Sequence, residues 1–214
     1  MNAAMSNARW ARPLCAGVAV SSRSGSLGTV GAIYVRAGTP CIVGTSHVTG
    51  KSGDTVWQPA PCGKPDCTCN CVGAVVASKR EIVMLGGHRY YVDCAAAAIE
   101  PDVPVEPTRG GTTRAVRGMR VRKLGAVSGY TEGIVHDEHH VEHVVLETGH
   151  IAAPNQILIR GVGGIPFSTI GDSGALVTDE HGRAVGLLWG ASASGEAVAC
   201  HIEPVFHALG LEAP

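Results

Sequence analysis

The stretch Ile170-Gly171-Asp172-Ser173-Gly174-Ala175-Leu176 constrains this chain more than any other. A serine with a glycine at either side is presented without a neighbouring Cβ in the way, and glycine tolerates backbone dihedrals closed to other residues. Such a hydroxyl becomes a nucleophile only when it is held rigidly and a base takes its proton. Gly171 lets two N–H groups, its own and that of Ser173, turn toward one point, an arrangement that binds the oxyanion of a tetrahedral intermediate. The apolar runs 175–177 and 185–189 have strand length, and Asp179-Glu180-His181-Gly182 between them has hairpin composition. The loop therefore has to hang between strands of a buried sheet. The tetrapeptide Gly171 to Gly174 is also an ordinary tight turn, so its chemistry depends on a base and an orienting acid elsewhere in the chain.

The rest of the chain fits a β protein. Twenty-nine glycines, 12 prolines and only 16% charged residues in 214 point to many short strands joined by tight turns. Residues 14–20 and 29–36 read as the first strands, with a Ser/Gly-rich turn over 21–28. A net charge of −1 with no basic run argues against nucleic acid or an anionic membrane as partner. No apolar stretch reaches spanning length. Residues 1–13 read as a flexible arm without the apolar core of a signal peptide, which predicts a cytoplasmic location.

Two upstream segments carry the remaining chemistry. Pro40-Cys41-Ile42-Val43-Gly44 is an apolar strand running into Thr45-Ser46-His47-Val48-Thr49-Gly50, a small-residue turn with a histidine. A histidine at a strand end is more often structural or solvated, so His47 gains weight only beside Ser173. Arg89-Tyr90-Tyr91-Val92-Asp93 is an aromatic, β-branched strand followed by Cys94 and four alanines. A carboxylate there is partly buried and needs a partner to stay ionised, and a protonated imidazole is one. The other reading makes Asp93 the N-cap of an alanine helix. Asp54 and Asp102 are the alternative acids. Residues 101–117, with Pro101, Pro104, Pro107 and Gly110-Gly111, read as a linker between residues 14–100 and 118–214.

Taken together, these segments resemble the chymotrypsin-like (trypsin-fold) serine proteases, and within them the bacterial trypsin-like peptidases. The nucleophile loop, its hairpin and the strand ending at Trp189-Gly190 agree with that family. So does Gly53-Asp54-Thr55-Val56-Trp57-Gln58-Pro59 after the histidine, and so does Lys123-Leu124-Gly125-Ala126-Val127-Ser128-Gly129-Tyr130-Thr131-Glu132-Gly133-Ile134-Val135. The resemblance implies an all-β fold of two antiparallel six-stranded barrels with a short C-terminal helix, built here from a last strand over 197–202 and a helix over 203–209. It implies a serine endopeptidase that cleaves protein or peptide substrates without a cofactor. Ser173 would be the nucleophile, His47 the base, Asp93 its orienting acid, and the Gly171 and Ser173 N–H groups the oxyanion hole. Phe167 and Ser168, with Trp189 and Gly190 opposite, would line a shallow substrate pocket without an acid. The family's secreted members pair the Asp before the nucleophile with a new N-terminus, but no Ile-Val-Gly-Gly-like start occurs here. Asp172 must then find an internal cation, or the loop orders only with an activating partner or a fused regulatory domain.

Two clusters allow other readings. Cys62, Cys67, Cys69 and Cys71 supply enough thiolates for a structural zinc. In an extended strand, however, Cys67, Cys69 and Cys71 would stand about 6.6 Å apart, so the loop would have to curl. Disulfides and free thiols are the competing states. His136-Asp137-Glu138-His139-His140-Val141-Glu142-His143 has metal-ligand residue types but the surroundings of a solvated loop or hairpin. The rivals to an enzyme are therefore a catalytically silent protease-like binding module and a zinc-stapled interaction domain.

Overall fold

The computed structural model describes residues 11–22, 26–59, 70–146 and 149–212. Among the described residues thirteen strands form two sheets. The first sheet is built from β1 (Ala19–Ser22), β2 (Leu27–Thr29), β3 (Ala32–Arg36), β4 (Thr39–Gly44), β5 (Thr55–Trp57), β6 (Cys71–Leu85) and β7 (His88–Ile99), in the order β2-β1-β5-β6-β7-β4-β3. The second is a closed barrel of β8 (Arg120–Gly125), β9 (Gly129–Leu146), β10 (Gly149–Gly161), β11 (Leu176–Asp179), β12 (Ala184–Ala191) and β13 (Ala197–His201). Two helices occur among the described residues: a single turn, α1 (Ser46–Thr49), and α2 (Ile202–Leu209).

The expected six strands of the first barrel become seven because one strand is interrupted. β2 and β3 are the two edges of the sheet, yet only Val30 and Gly31 separate them in the chain. Across the break Val30 N–H bonds Val18 O at 2.8 Å and Gly31 N–H bonds Val43 O at 2.9 Å. The chain thus passes from one edge of the sheet to the other at Val30 and Gly31, and the outer side of β3 bonds Thr108 and Glu212. The first strands are also shorter than the sequence indicates. Ser21 and Ser22 belong to β1, Leu27 and Gly28 to β2, and Leu14 instead forms a bridge to Val105.

Each sheet encloses its own apolar core. Val20, Ile33, Ile42, Val56, Val75 and Ala97 fill the first, and Val121, Ile157, Ile159, Phe167, Val185 and Leu188 the second. A third cluster joins Val43, Val92 and Ala96 to Leu187, Cys200, Ile202 and Val205, so the two sheets share a buried seam. Burial on both sides is why residues 95–98 are small, and why they extend β7 instead of starting a helix. Their pairing with β4 and β6 overrides alanine's helical preference. No helix among the described residues is long and apolar enough to cross a membrane.

The cysteine loop lies mostly outside the described residues: Cys62, Cys67 and Cys69 are in the 60–69 gap, and Cys71, half-buried, begins β6. Among the described residues no group of three or more His, Cys, Asp or Glu side chains is arranged to hold a metal ion. Cys15, Cys41, Cys71, Cys94 and Cys200 carry free thiols. Of the loop or hairpin expected for the histidine run 136–143, the structure has the hairpin: the run is the middle of β9, paired antiparallel along β10.

Candidate active site

The nucleophile loop hangs between the two sheets. Ser173 O accepts from Thr29 N–H on β2 at 2.8 Å, and Gly174 N–H donates to Leu188 O on β12 at 2.8 Å. Gly171 and Gly174 have φ values of 98° and 97°, a region that favours glycine. A Cβ at position 174 would strike the Thr29 carbonyl, so the close approach also requires glycine there. Thr29 Oγ1 donates to Gly171 O and accepts from Ala126 N–H, both at 3.0 Å, which fixes the peptide following Gly171. Among the described residues the N–H groups of Gly171 and Ser173 have no protein acceptor. Both remain available for an oxyanion.

His47 sits on α1, on the other side of β2. An added Cβ at Gly28 would meet Val48 Cγ1 on one side and the Ser173 carbonyl on the other. The histidine turn and the serine therefore press on the same strand. Ser78 on β6 holds α1 at both ends, bonding Ser46 Oγ and Gly50 O at 2.8 Å each. Asp93, fully buried in β7, grips His47 twice: Oδ2 lies 2.8 Å from Nδ1, and Oδ1 accepts from the backbone N–H at 3.1 Å. A carboxylate at Nδ1 makes that nitrogen the donor and leaves Nε2 free to take a proton. Of the two alternative acids, Asp54 caps its own loop by accepting from Lys51 N–H at 2.8 Å, and Asp102 stands exposed in the linker.

The Ser173 hydroxyl donates to Trp189 O at 3.5 Å and makes no hydrogen bond to His47. A loose or absent nucleophile–base bond is common before substrate arrives. The Trp189 ring is anchored behind the loop. Its Nε1 donates to Gln156 Oε1 at 2.7 Å, and the ring packs in a T-shaped contact with Tyr91, centroids 5.4 Å apart. Burial, reinforced by the neighbouring Asp93, pushes the Tyr91 phenol up to about 12. Space is open where Gly190 lacks a side chain. Phe167, by contrast, turns its ring into the core of the barrel, beneath Lys123 Nζ at 5.9 Å, while Ser168 is half-buried. A cavity of about 1190 Å³ lies elsewhere, between the β6–β7 turn, the linker and α2, and contains none of His47, Asp93 and Ser173.

Asp172 has found an internal cation. Lys123 Nζ, fully buried on β8, lies 3.1 Å from Oδ2. The carboxylate also accepts from Ser128 Oγ at 2.6 Å, from the N–H groups of Val127 and Ser128 at 3.1 Å each, and from Thr169 N–H at 3.0 Å. Burial alone would raise its pKa, but the Ser128 bonds, Lys123 and Thr169 outweigh burial and hold it below the usual carboxylate value. Burial pushes Lys123 down, against the pull of Asp172. The pairing residue was readable in the alternation of β8. Val121, Lys123 and Gly125 share the buried phase, and a lysine in that phase needs an anion.

No family model matches the chain, and no curated protein matches it by sequence. Solved structures do match by shape. A glutamic-acid-specific serine protease superposes with a TM-score of 0.67 at 17% identity, over 94% of this chain and 100% of that one. Nocardiopsis protease gives 0.63 at 18%, and Thermobifida fusca protease A gives 0.63 at 16%, each over 93% of this chain and 97% of the other. With two β-sheets meeting at a shared seam, an interrupted strand supplying both edges of the first and a six-stranded barrel forming the second, the chain has the fold of the chymotrypsin-like serine proteases.

Proposed function

We propose that this protein is a serine endopeptidase that hydrolyses peptide bonds through an acyl-enzyme. The observation that carries the reading is the double grip of Asp93 on His47, at the ring Nδ1 and at the backbone N–H. It supports a fixed tautomer with Nε2 as base. Ser173 attacks the scissile carbonyl as His47 takes its proton, and His47 then protonates the leaving amine. The N–H groups of Gly171 and Ser173 receive the oxyanion. Water enters by the same route in reverse and releases the acyl half. Asp172 already holds Lys123, so the loop is ordered without a new N-terminal ammonium.

The substrate strand runs past Trp189 and Gly190, where the missing Cβ leaves room. Phe167 has its ring in the barrel core, which leaves Ser168 as the side chain of that segment beside the nucleophile, and Ser168 carries no negative charge. That favours small or apolar side chains over arginine or lysine. A fluorophosphonate probe tests the whole reading. Labelling of the wild-type protein that Ser173→Ala abolishes is the expected result. No labelling at any pH between 5 and 9 would overturn it and leave the catalytically silent binding module.

A further inference from the structure

We infer that Arg80 is a positioning residue of the catalytic apparatus, holding the Asp93 carboxylate in competition with His47 and so setting the pH at which His47 becomes free to act as base. The inference rests on the hydrolase reading. Its geometry does not.

The β6–β7 hairpin turns on Gly86 and Gly87, with φ values of 57° and 81°. Two consecutive residues at positive φ make a two-residue turn that fixes the register of both strands. Counting back from it places Arg80 directly opposite Asp93. Arg80 Nε lies 3.2 Å from Asp93 Oδ2, the same oxygen that His47 Nδ1 approaches at 2.8 Å. Arg80 Nε also reaches the Tyr91 hydroxyl at 3.4 Å. The arginine side chain is 39% exposed and the carboxylate 0%, so the guanidinium covers a buried anion from the solvent side. This is not the pairing of two exposed charges that contributes almost nothing.

The other groups around Asp93 do not duplicate that role. On β6, Lys79 and Glu81 pair with each other at 2.9 Å and are half exposed. On β13, Cys200 accepts the Asp93 backbone N–H at 3.3 Å, and burial pushes the thiols of Cys200 and Cys94 well up, so both stay neutral. His201 is pushed down by burial and bonds Glu138 O. On α2, Glu203 pairs with Arg114 and His207 forms no ion pair with Asp93. β4 offers Cys41, and β10 offers the neutral Gln156 to Tyr91 O. Arg80 is thus the permanent charge on the carboxylate among the described residues.

The consequence follows from charge. An arginine is cationic at every working pH, whereas a histidine is cationic only while both ring nitrogens carry protons. With Arg80 present, the pull of the Asp93 carboxylate on the imidazolium is shared. Removing the guanidinium gives the imidazolium the whole carboxylate. The protonated form then persists to higher pH, and the acid limb of the rate profile moves up.

The experiment is the pH dependence of the fluorophosphonate labelling rate for the wild type, Arg80→Gln, Arg80→Met and Arg80→Lys. The same substitutions are made in a Ser173→Ala background, where the His47 ring is titrated by NMR. Both neutral variants are expected to move the acid limb up by about half to one pH unit, with the NMR titration moving alike and Arg80→Lys restoring most of the wild-type position. A rate that falls equally at every pH with the limb unmoved would overturn the inference and leave Arg80 a packing residue. A downward shift would overturn it too. If Arg80→Gln fails to fold, Arg80→Met, which keeps the apolar stem, decides. If the wild type does not label at all, the hydrolase reading falls, and the NMR titration alone decides whether Arg80 governs His47.

Discussion

Asp93 and Asp172 are both buried carboxylates one step from the serine, and both meet a cation, yet they are held in opposite ways. Asp172 sits in a closed cage: a fully buried lysine, a hydroxyl and three backbone N–H groups converge on it. None of its partners needs to move. Asp93 shares one oxygen between a 27% exposed histidine and a half-exposed arginine, and its other oxygen bonds a backbone N–H. A saturated anion fixes shape, and an anion left with exchangeable partners can respond when a proton moves. The first sheet supplies the responsive carboxylate and the barrel the rigid one.

The largest effect that separates them is on rate. Asp93→Asn preserves volume but removes the acceptor that fixes the His47 tautomer. The labelling rate is expected to fall about 10⁴-fold, near 5.5 kcal/mol of barrier, while thermal unfolding shows a folded protein. A variant that labels normally would break the comparison by making Asp93 merely structural. Next comes Lys123→Met, whose effect falls on stability. It removes the cation from the buried Asp172, and breaking one side of a buried pair costs about 3–5 kcal/mol. Denaturant unfolding reads that loss. An unchanged midpoint would mean that the hydrogen bonds alone satisfy Asp172.

Much of this arrangement was legible along the chain. Short β-branched runs, the hairpin at residues 179–182 and the apolar strand leading to His47 all became the elements that position the site. Lys123 and Arg80 were written there as well, though less openly. One stands in the buried phase of an alternating strand, and the other lies opposite Asp93 once the Gly86-Gly87 turn fixes the register. Reading either requires pairing two strands before looking for partners. The interruption at Val30 and Gly31 was not legible. It exists because the chain pairs with β1 as β2 and must then cross to the other edge of the same sheet to pair with β4 as β3, a demand that no local pattern records. Nor was the direction of Phe167, whose ring the barrel core claims through contacts with residues distant in sequence. The alanines after Asp93 left a helix open as the alternative reading for a related reason, since sheet pairing on both sides outweighs a weak helical preference that is visible locally.

The smallest effect sharpens the contrast through pH. Ser128 Oγ lies between the two charges of the cage, donating to Asp172 Oδ2 at 2.6 Å and accepting from Lys123 Nζ at 2.5 Å. Removing it in Ser128→Ala deletes a charge-assisted bond and is expected to cost about 1.5–3 kcal/mol at pH 7. Because Asp172 is held below its ordinary value, its contribution to stability is present above the unfolded carboxylate pKa of about 3.9 and is lost as pH falls through the lower, folded one. The cost of Ser128→Ala should therefore shrink toward zero in acid, where the carboxyl is protonated in both proteins and the bond no longer holds an anion. Urea unfolding of the two proteins, stepped from pH 7 down through pH 3 into stronger acid, measures this. A cost independent of pH would assign the hydroxyl to the packing of the turn and not to the charge of Asp172.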